Sequence, residues 1–187
     1  EEAQAAAAAI LGTEIKGYPV RQVLVEEKLA IAKEFYMTFI VNSARDARCP
    51  MLMFSTEGGM DIESVPEEKI FKLLVSPSKG LKTYEAIDLC EKAGIPNEQL
   101  GVFASFMTKL SSAYKKYDCF TLEINPLVMT EDGKLVAADC KMDVDNSSVF
   151  RHQDMGIEIA RDFGHEPTEL DIMGWGIEKT DLRGSGF

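Results

Sequence analysis

Histidine is almost missing from this chain of 187 residues: His152 and His165 are the only two, so a His-rich zinc site is excluded. Both are expected to be structural rather than catalytic. Cysteine is sparse, with Cys49, Cys90, Cys119 and Cys140 and no C-x-x-C pair. Three of these, Cys49, Cys119 and Cys140, fall in strand-like runs, where a free thiol acts as a small hydrophobe, and a reducing compartment is the simpler reading. No apolar run approaches the ~20 residues needed to span a bilayer, and no signal-peptide pattern opens the chain. Basic residues are in deficit, 20 against 31 acidic ones, for a net charge of −11. That balance opposes nucleic-acid backbones and anionic membranes, whose binding rests on clustered Lys and Arg. It leaves a small nucleotide open, because a bound divalent cation supplies its own positive charge. Glycine-rich phosphate loops are lacking too. Gly58-Gly59 sits in neither G-x-x-x-x-G-K-[ST] nor G-x-G-x-x-G and reads as a tight turn.

What is present is ordinary globular composition, with 45% hydrophobic and 27% charged residues, enough for one good core or two small lobes. Glu2 to Leu11 predicts an Ala-rich helix with acids in its first turn, and Gly17-Tyr18-Pro19 a break. Val20 to Glu27, Lys33 to Val41 and Pro50 to Ser55 read as an antiparallel meander. In its second strand Glu34, Tyr36 and Thr38 share one face, and Phe35, Met37 and Phe39 the other. Helices are expected at Pro66–Leu74, Thr83–Ala93 and Asn97–Tyr117. The last carries a stripe of Leu100, Phe103, Phe106, Met107, Leu110 and Tyr114, a core face rather than a cofactor site. Gln153 to Phe163 predicts a helix capped by Gly164. Strands, helices, then strands again indicate an α+β fold, an antiparallel sheet packed against helices.

The most informative stretch is Leu122-Glu123-Ile124-Asn125-Pro126-Leu127-Val128, followed by Val136-Ala137-Ala138-Asp139-Cys140-Lys141. If Glu131-Asp132-Gly133 forms a three-residue hairpin loop with Gly133 left-handed, Thr130 faces Lys134. Counting outward, Asn125 then lies opposite Asp139 and Glu123 opposite Lys141, all four on one face. Opposed residues have Cβ atoms about 4.5–5.5 Å apart, so two short oxygen-bearing side chains there can share one hard cation. The same spacing equally describes a solvated polar face with Glu123 and Lys141 as an ion pair. Asp143-Val144-Asp145-Asn146-Ser147 imitates the start of a calcium loop, but Ser148 and Asp154 stand where Gly and Glu belong.

Three pieces in register resemble the beta subunit of succinyl-CoA synthetase and its relatives among nucleotide-dependent acyl-CoA ligases. They are Val23-Leu24-Val25-Glu26-Glu27 with Ala32-Lys33-Glu34-Phe35-Tyr36, then Ser55-Thr56-Glu57-Gly58-Gly59-Met60-Asp61-Ile62-Glu63, then Glu123-Ile124-Asn125-Pro126-Leu127-Val128 with Asp139-x-Lys141 and Phe150-Arg151. The resemblance implies an ATP-grasp lobe over residues 1–155, with 156–187 leading toward a CoA-ligase domain. It implies that Glu26, Leu29 and Glu34 contact ATP or GTP, and that Asn125 and Asp139 ligate Mg²⁺. Leu29 departs from the small hydroxyl residue often found there, so only a backbone contact would survive. Glu123 matches a carboxylate facing a phosphohistidine that docks from an alpha subunit.

The reaction so implied joins CoA to a small carboxylic acid, succinate first, with release of nucleoside diphosphate and phosphate. Malate–CoA ligase, ADP-forming acetyl-CoA synthetase and an ATP-citrate lyase-like subunit are alternatives within the same fold. The segment from His165 to Phe187, with Trp175, departs from the pattern and leaves the acid open. The chain is expected to be a fragment, inactive alone, of a cytoplasmic enzyme, or a matrix one if eukaryotic. A non-enzymatic acidic module that binds Ca²⁺ or a partner protein is the reading from another class.

Overall fold

The computed structural model describes residues 2–15, 17–42, 48–60, 62–157 and 168–180. Two units result, Glu1–Ala30 and Ile31–Phe187. In the first, the alanine run forms helix α1 (Glu2–Ile10), and Glu14–Ile15 (β1) pairs with Tyr18–Pro19 (β2). The run Val20 to Glu27, expected as a strand, has no regular structure. A strand must find a partner edge for its N–H and C=O groups. Met37 to Ile40 of its expected neighbour, Ile31–Val41 (β3), are already bonded on both sides.

The second unit is built on a six-stranded sheet. β3 lies between Pro50–Ser55 (β4) and Cys119–Thr130 (β6); Phe71–Leu74 (β5) closes one edge beyond β4. Leu135–Ala137 (β7) and Lys141–Val144 (β8) both pair with β6. The expected helix at Pro66–Leu74 is instead a short 3-10 turn, Glu67–Lys69, followed by β5. Its residues alternate half-buried and exposed, the period of a strand, and an open edge of β4 outweighs weak helix propensity. The expected helix Gln153–Phe163 begins as a 3-10 turn, Gln153–Met155, ended by Gly156 in the left-handed region (φ 61°). The remainder, from residue 158 to Gly164, lies outside the described residues, as does His165. A last helix, Glu169–Thr180 (α4), follows.

One sheet face packs on Thr83–Lys92 (α2) and Leu100–Lys116 (α3). Phe35, Met37 and Phe39 of β3 meet Leu52 and Phe54 of β4, Leu122 and Ile124 of β6, and the predicted α3 stripe in one core. Phe103 stands edge-on to Phe35 and Phe54, with ring centroids 4.9 and 5.7 Å away. The four cysteines are free thiols, Cys90 and Cys119 buried and Cys140 exposed. No helix among the described residues is long and apolar enough to cross a membrane.

Candidate functional site

The face turned away from the helices carries the site. Leu122 and Ile124 enter the core, so by strand alternation Glu123 and Asn125 project from the other side. The hairpin forms as expected. Gly133 has φ 80°, and Thr130 exchanges backbone bonds with the turn, its N–H donating to the Lys134 carbonyl at 2.9 Å. Leu127 pairs with Ala137 and Glu123 with Lys141, so the count from the turn is kept over the whole ribbon.

Two irregularities within that register were not expected. Along β3, Phe35 pairs with Leu127 but Met37 with Ile124, so Asn125 and Pro126 together oppose Tyr36. This is a β-bulge, a device that bends a strand and re-aims a side chain. Pro126, which cannot donate to a ladder, is tolerated there; the Asn125–Pro126 bond is cis. Across the ribbon, Ala138 still donates its N–H to the Pro126 carbonyl at 3.2 Å, and Asp139 and Cys140 leave the ladder before β8. Asp139 is level with Asn125 in the count but sits in this exposed interruption, its Oδ1 accepting the Cys140 N–H at 2.8 Å. A proline inside a central apolar run was the signal for the bulge.

Asn125 is held from both ends. Its Oδ1 accepts the Gly59 N–H at 3.0 Å and its Nδ2 donates to the Met60 carbonyl at 3.1 Å. The amide is therefore oriented by backbone, and its oxygen keeps a second lone pair. Gly59, Met60, Ser64, Asn125 and Pro126 line an open cleft of about 530 Å³. The Gly58-Gly59 turn makes this docking possible. A Cβ on Gly58 would overlap the Phe35 backbone, and one on Gly59, at φ 69°, would overlap the Glu34 carboxylate. Glu34, Gly59 and Asn125 are thus brought together. The turn is braced as well. Ser55 Oγ accepts the Glu57 N–H, and Glu57 pairs with Lys69 at 2.9 Å, which lowers the Glu57 pKa from its ordinary value.

Glu123 finds a different partner from the one its spacing indicated. Tyr36 donates its hydroxyl to Glu123 Oε2 at 2.9 Å, and no ion pair joins Glu123 to Lys141 among the described residues. Tyr36 is only 3% exposed. Burial first, then the Glu123 carboxylate, pushes its phenol well above the ordinary tyrosine value. Glu26 and Leu29 lie in the first unit, Glu26 exposed and Leu29 half-buried, in a segment without regular structure. His152 Nε2 lies 2.8 Å from Asp118 Oδ2, which also accepts Arg151 Nη2 at 3.0 Å. Its ring stands edge-on to Tyr117, so it braces the turn before β6. Asp145, in the calcium-like run, accepts the Ser147 N–H as a helix cap.

The donor set suits a hard cation. No group of three or more His, Cys, Asp or Glu able to hold a metal occurs among the described residues. Mg²⁺, however, usually takes only one or two protein oxygens and fills the rest with water and phosphate. An oriented amide oxygen and an exposed carboxylate, opposed by count along the ribbon, are donors of that kind.

A family model described as the ATP-grasp domain matches residues 1–129. The chain is 39% identical over 188 residues to the GDP-forming succinate–CoA ligase subunit beta of Thermus thermophilus, covering 99% of this chain and 49% of that protein. It is 39% identical over 179 residues to the ADP-forming subunit beta of Rubrobacter xylanophilus, covering 92% and 46%. The chain therefore spans about half the length of the curated relatives it matches. Among solved structures, an ATP citrate lyase from Methanothrix soehngenii superposes with a TM-score of 0.65 at 17% identity, over 95% of this chain and 42% of that one. That likeness is one of fold.

Proposed function

The chain belongs to the ATP-grasp domain family, and from that membership we propose that it is the nucleotide-binding part of the beta subunit of an ADP- or GDP-forming acyl-CoA ligase, with succinate as the acid. The overall reaction is carboxylate + CoA + nucleoside triphosphate to acyl-CoA + nucleoside diphosphate + phosphate, by way of an acyl phosphate and a phosphohistidine on an alpha subunit. The observation that carries the reading is Asn125, clamped by Gly59 and Met60 at the mouth of a cleft and level with Asp139. Identities of 36–42% to succinate–CoA ligase beta subunits support it.

In this reading Asn125 and Asp139 hold Mg²⁺, which when bound neutralises phosphate charge. Phosphoryl transfer needs mostly positioning and charge stabilisation from the protein. This chain's residues supply the positioning. The Gly59–Met60 backbone fixes the Asn125 oxygen, and Glu34, packed against Gly59, lends a carboxylate to the same edge. Glu26 and Leu29 contact the nucleoside, Leu29 through its backbone. Glu123 meets the partner's imidazole, orienting it and stabilising its protonated form. A cytoplasmic or matrix location accords with these roles.

The competing reading, an acidic Ca²⁺- or protein-binding module, makes a different prediction. A full-length beta subunit carrying this sequence should gain thermal stability from nucleotide with Mg²⁺, as expected for any ligand bound only by the native state. Stabilisation by Ca²⁺ without nucleotide, and none by Mg²⁺–nucleotide, would favour the module.

A further inference from the structure

Along the sheet face opposite the helices, the side chains stand in cross-strand rows. Met53, Thr38, Glu123 and Lys141 form one row through β4, β3, β6 and β8, and Ser55 and Tyr36 form the next. Glu123 therefore has Thr38 as its direct neighbour on β3 and Lys141 on β8. Its carboxylate bonds neither; it reaches diagonally to the hydroxyl of Tyr36. Thr38 gives its own hydroxyl to the Leu122 carbonyl at 3.3 Å. Tyr36 cannot swing away, since it is buried to 3% exposure. The bulge at Asn125–Pro126 opens the ladder directly across from it.

We propose that Tyr36 is the positioning residue for Glu123, clamping Oε2 so that Oε1 is presented to an imidazole arriving from the partner subunit. This rests on the role given to Glu123 above. A carboxylate on a flexible two-methylene stem samples many rotamers, whereas a rigid, buried phenol leaves it one. A charged acceptor makes the bond short and strong. The phenol is held well above the ordinary tyrosine value by burial and by Glu123 itself, so it remains a donor throughout the working range. Small misplacements of a reacting group are costly, about a hundredfold for 1 Å.

The test is a double-mutant cycle in the full-length beta subunit paired with its alpha subunit, measuring phosphoryl transfer to the partner histidine in a single turnover. Tyr36→Phe should slow transfer roughly ten- to a hundredfold while leaving the Kd of Mg²⁺–nucleotide within about twofold. In a Glu123→Gln background the same change should cost nothing further. Equal losses in both backgrounds overturn the positioning role, since a purely structural effect does not depend on Glu123. Glu123→Gln impaired with Tyr36→Phe at wild-type rate also overturns it. Wild-type transfer by Glu123→Gln overturns the role of Glu123 itself, and with it the proposal.

Discussion

The Asn125 side chain and the Gly59 N–H meet at 3.0 Å across 66 positions of sequence. That bond joins the turn after β4 to the bulge in β6 and decides which way the amide oxygen faces. The site is therefore a property of two distant segments, one rich in glycine and the other holding a proline.

Gly59→Ala tests this union. A Cβ there collides with the Glu34 carboxylate, and φ 69° is unfavourable for an L side chain. The backbone penalty is about 1–2 kcal/mol, small enough for a folded protein to survive. The expected outcome is a modest fall in melting temperature with at least a tenfold loss of Mg²⁺–nucleotide affinity by calorimetry. Unchanged affinity would show that Asn125 does not need the turn.

The core makes an independent prediction. Phe103 is fully buried and touches both Phe35 and Phe54. Phe103→Ala should lower unfolding free energy by about 3–5 kcal/mol, the range for a buried aromatic truncated to alanine. Chemical denaturation checks it. A loss under 1 kcal/mol would mean that α3 does not anchor the sheet.

Alkaline stability should follow the buried thiols. Cys90 is fully buried in α2, and desolvation pushes its thiol from 9.0 up to about 12. The folded state thus holds its proton more tightly than the unfolded chain. Stability from this group is complete below pH 9 and is lost as pH climbs toward 12. Cys119, pushed to about 11, acts with the same sign. Replacing Cys90 with Ala should leave the denaturation midpoint less steeply dependent on pH between about 9 and 12. An unaltered slope would contradict the assignment.

Much of this was legible in the residues. The register of the β6 ribbon followed from the Glu131-Asp132-Gly133 loop, and the α3 stripe from its helical spacing. The polar row Glu34, Tyr36 and Thr38 was visible as alternation, but not its burial: Tyr36 and Thr38 are nearly inaccessible. Spacing paired Glu123 with Lys141 because they are opposed on the ladder. It could not show that a phenol one row away would compete, since diagonal reach depends on side-chain length and sheet twist. β5 was missed because four residues, Phe71–Leu74, show no reliable period until an edge receives them. Val20 to Glu27 failed in the opposite way, as a strand-like run whose expected neighbour has both edges filled from Met37 to Ile40.

The most direct measurement concerns Asp139. In the full-length beta subunit paired with its alpha subunit, γ-phosphate transfer from nucleotide to the partner histidine is followed against Mg²⁺ concentration. Asp139→Asn keeps the side-chain size and removes the charge, so transfer should become undetectable or require far more Mg²⁺. Phosphorylation at the wild-type level, with the wild-type Mg²⁺ dependence, would contradict the assignment of Asn125 and Asp139 as the cation's seat.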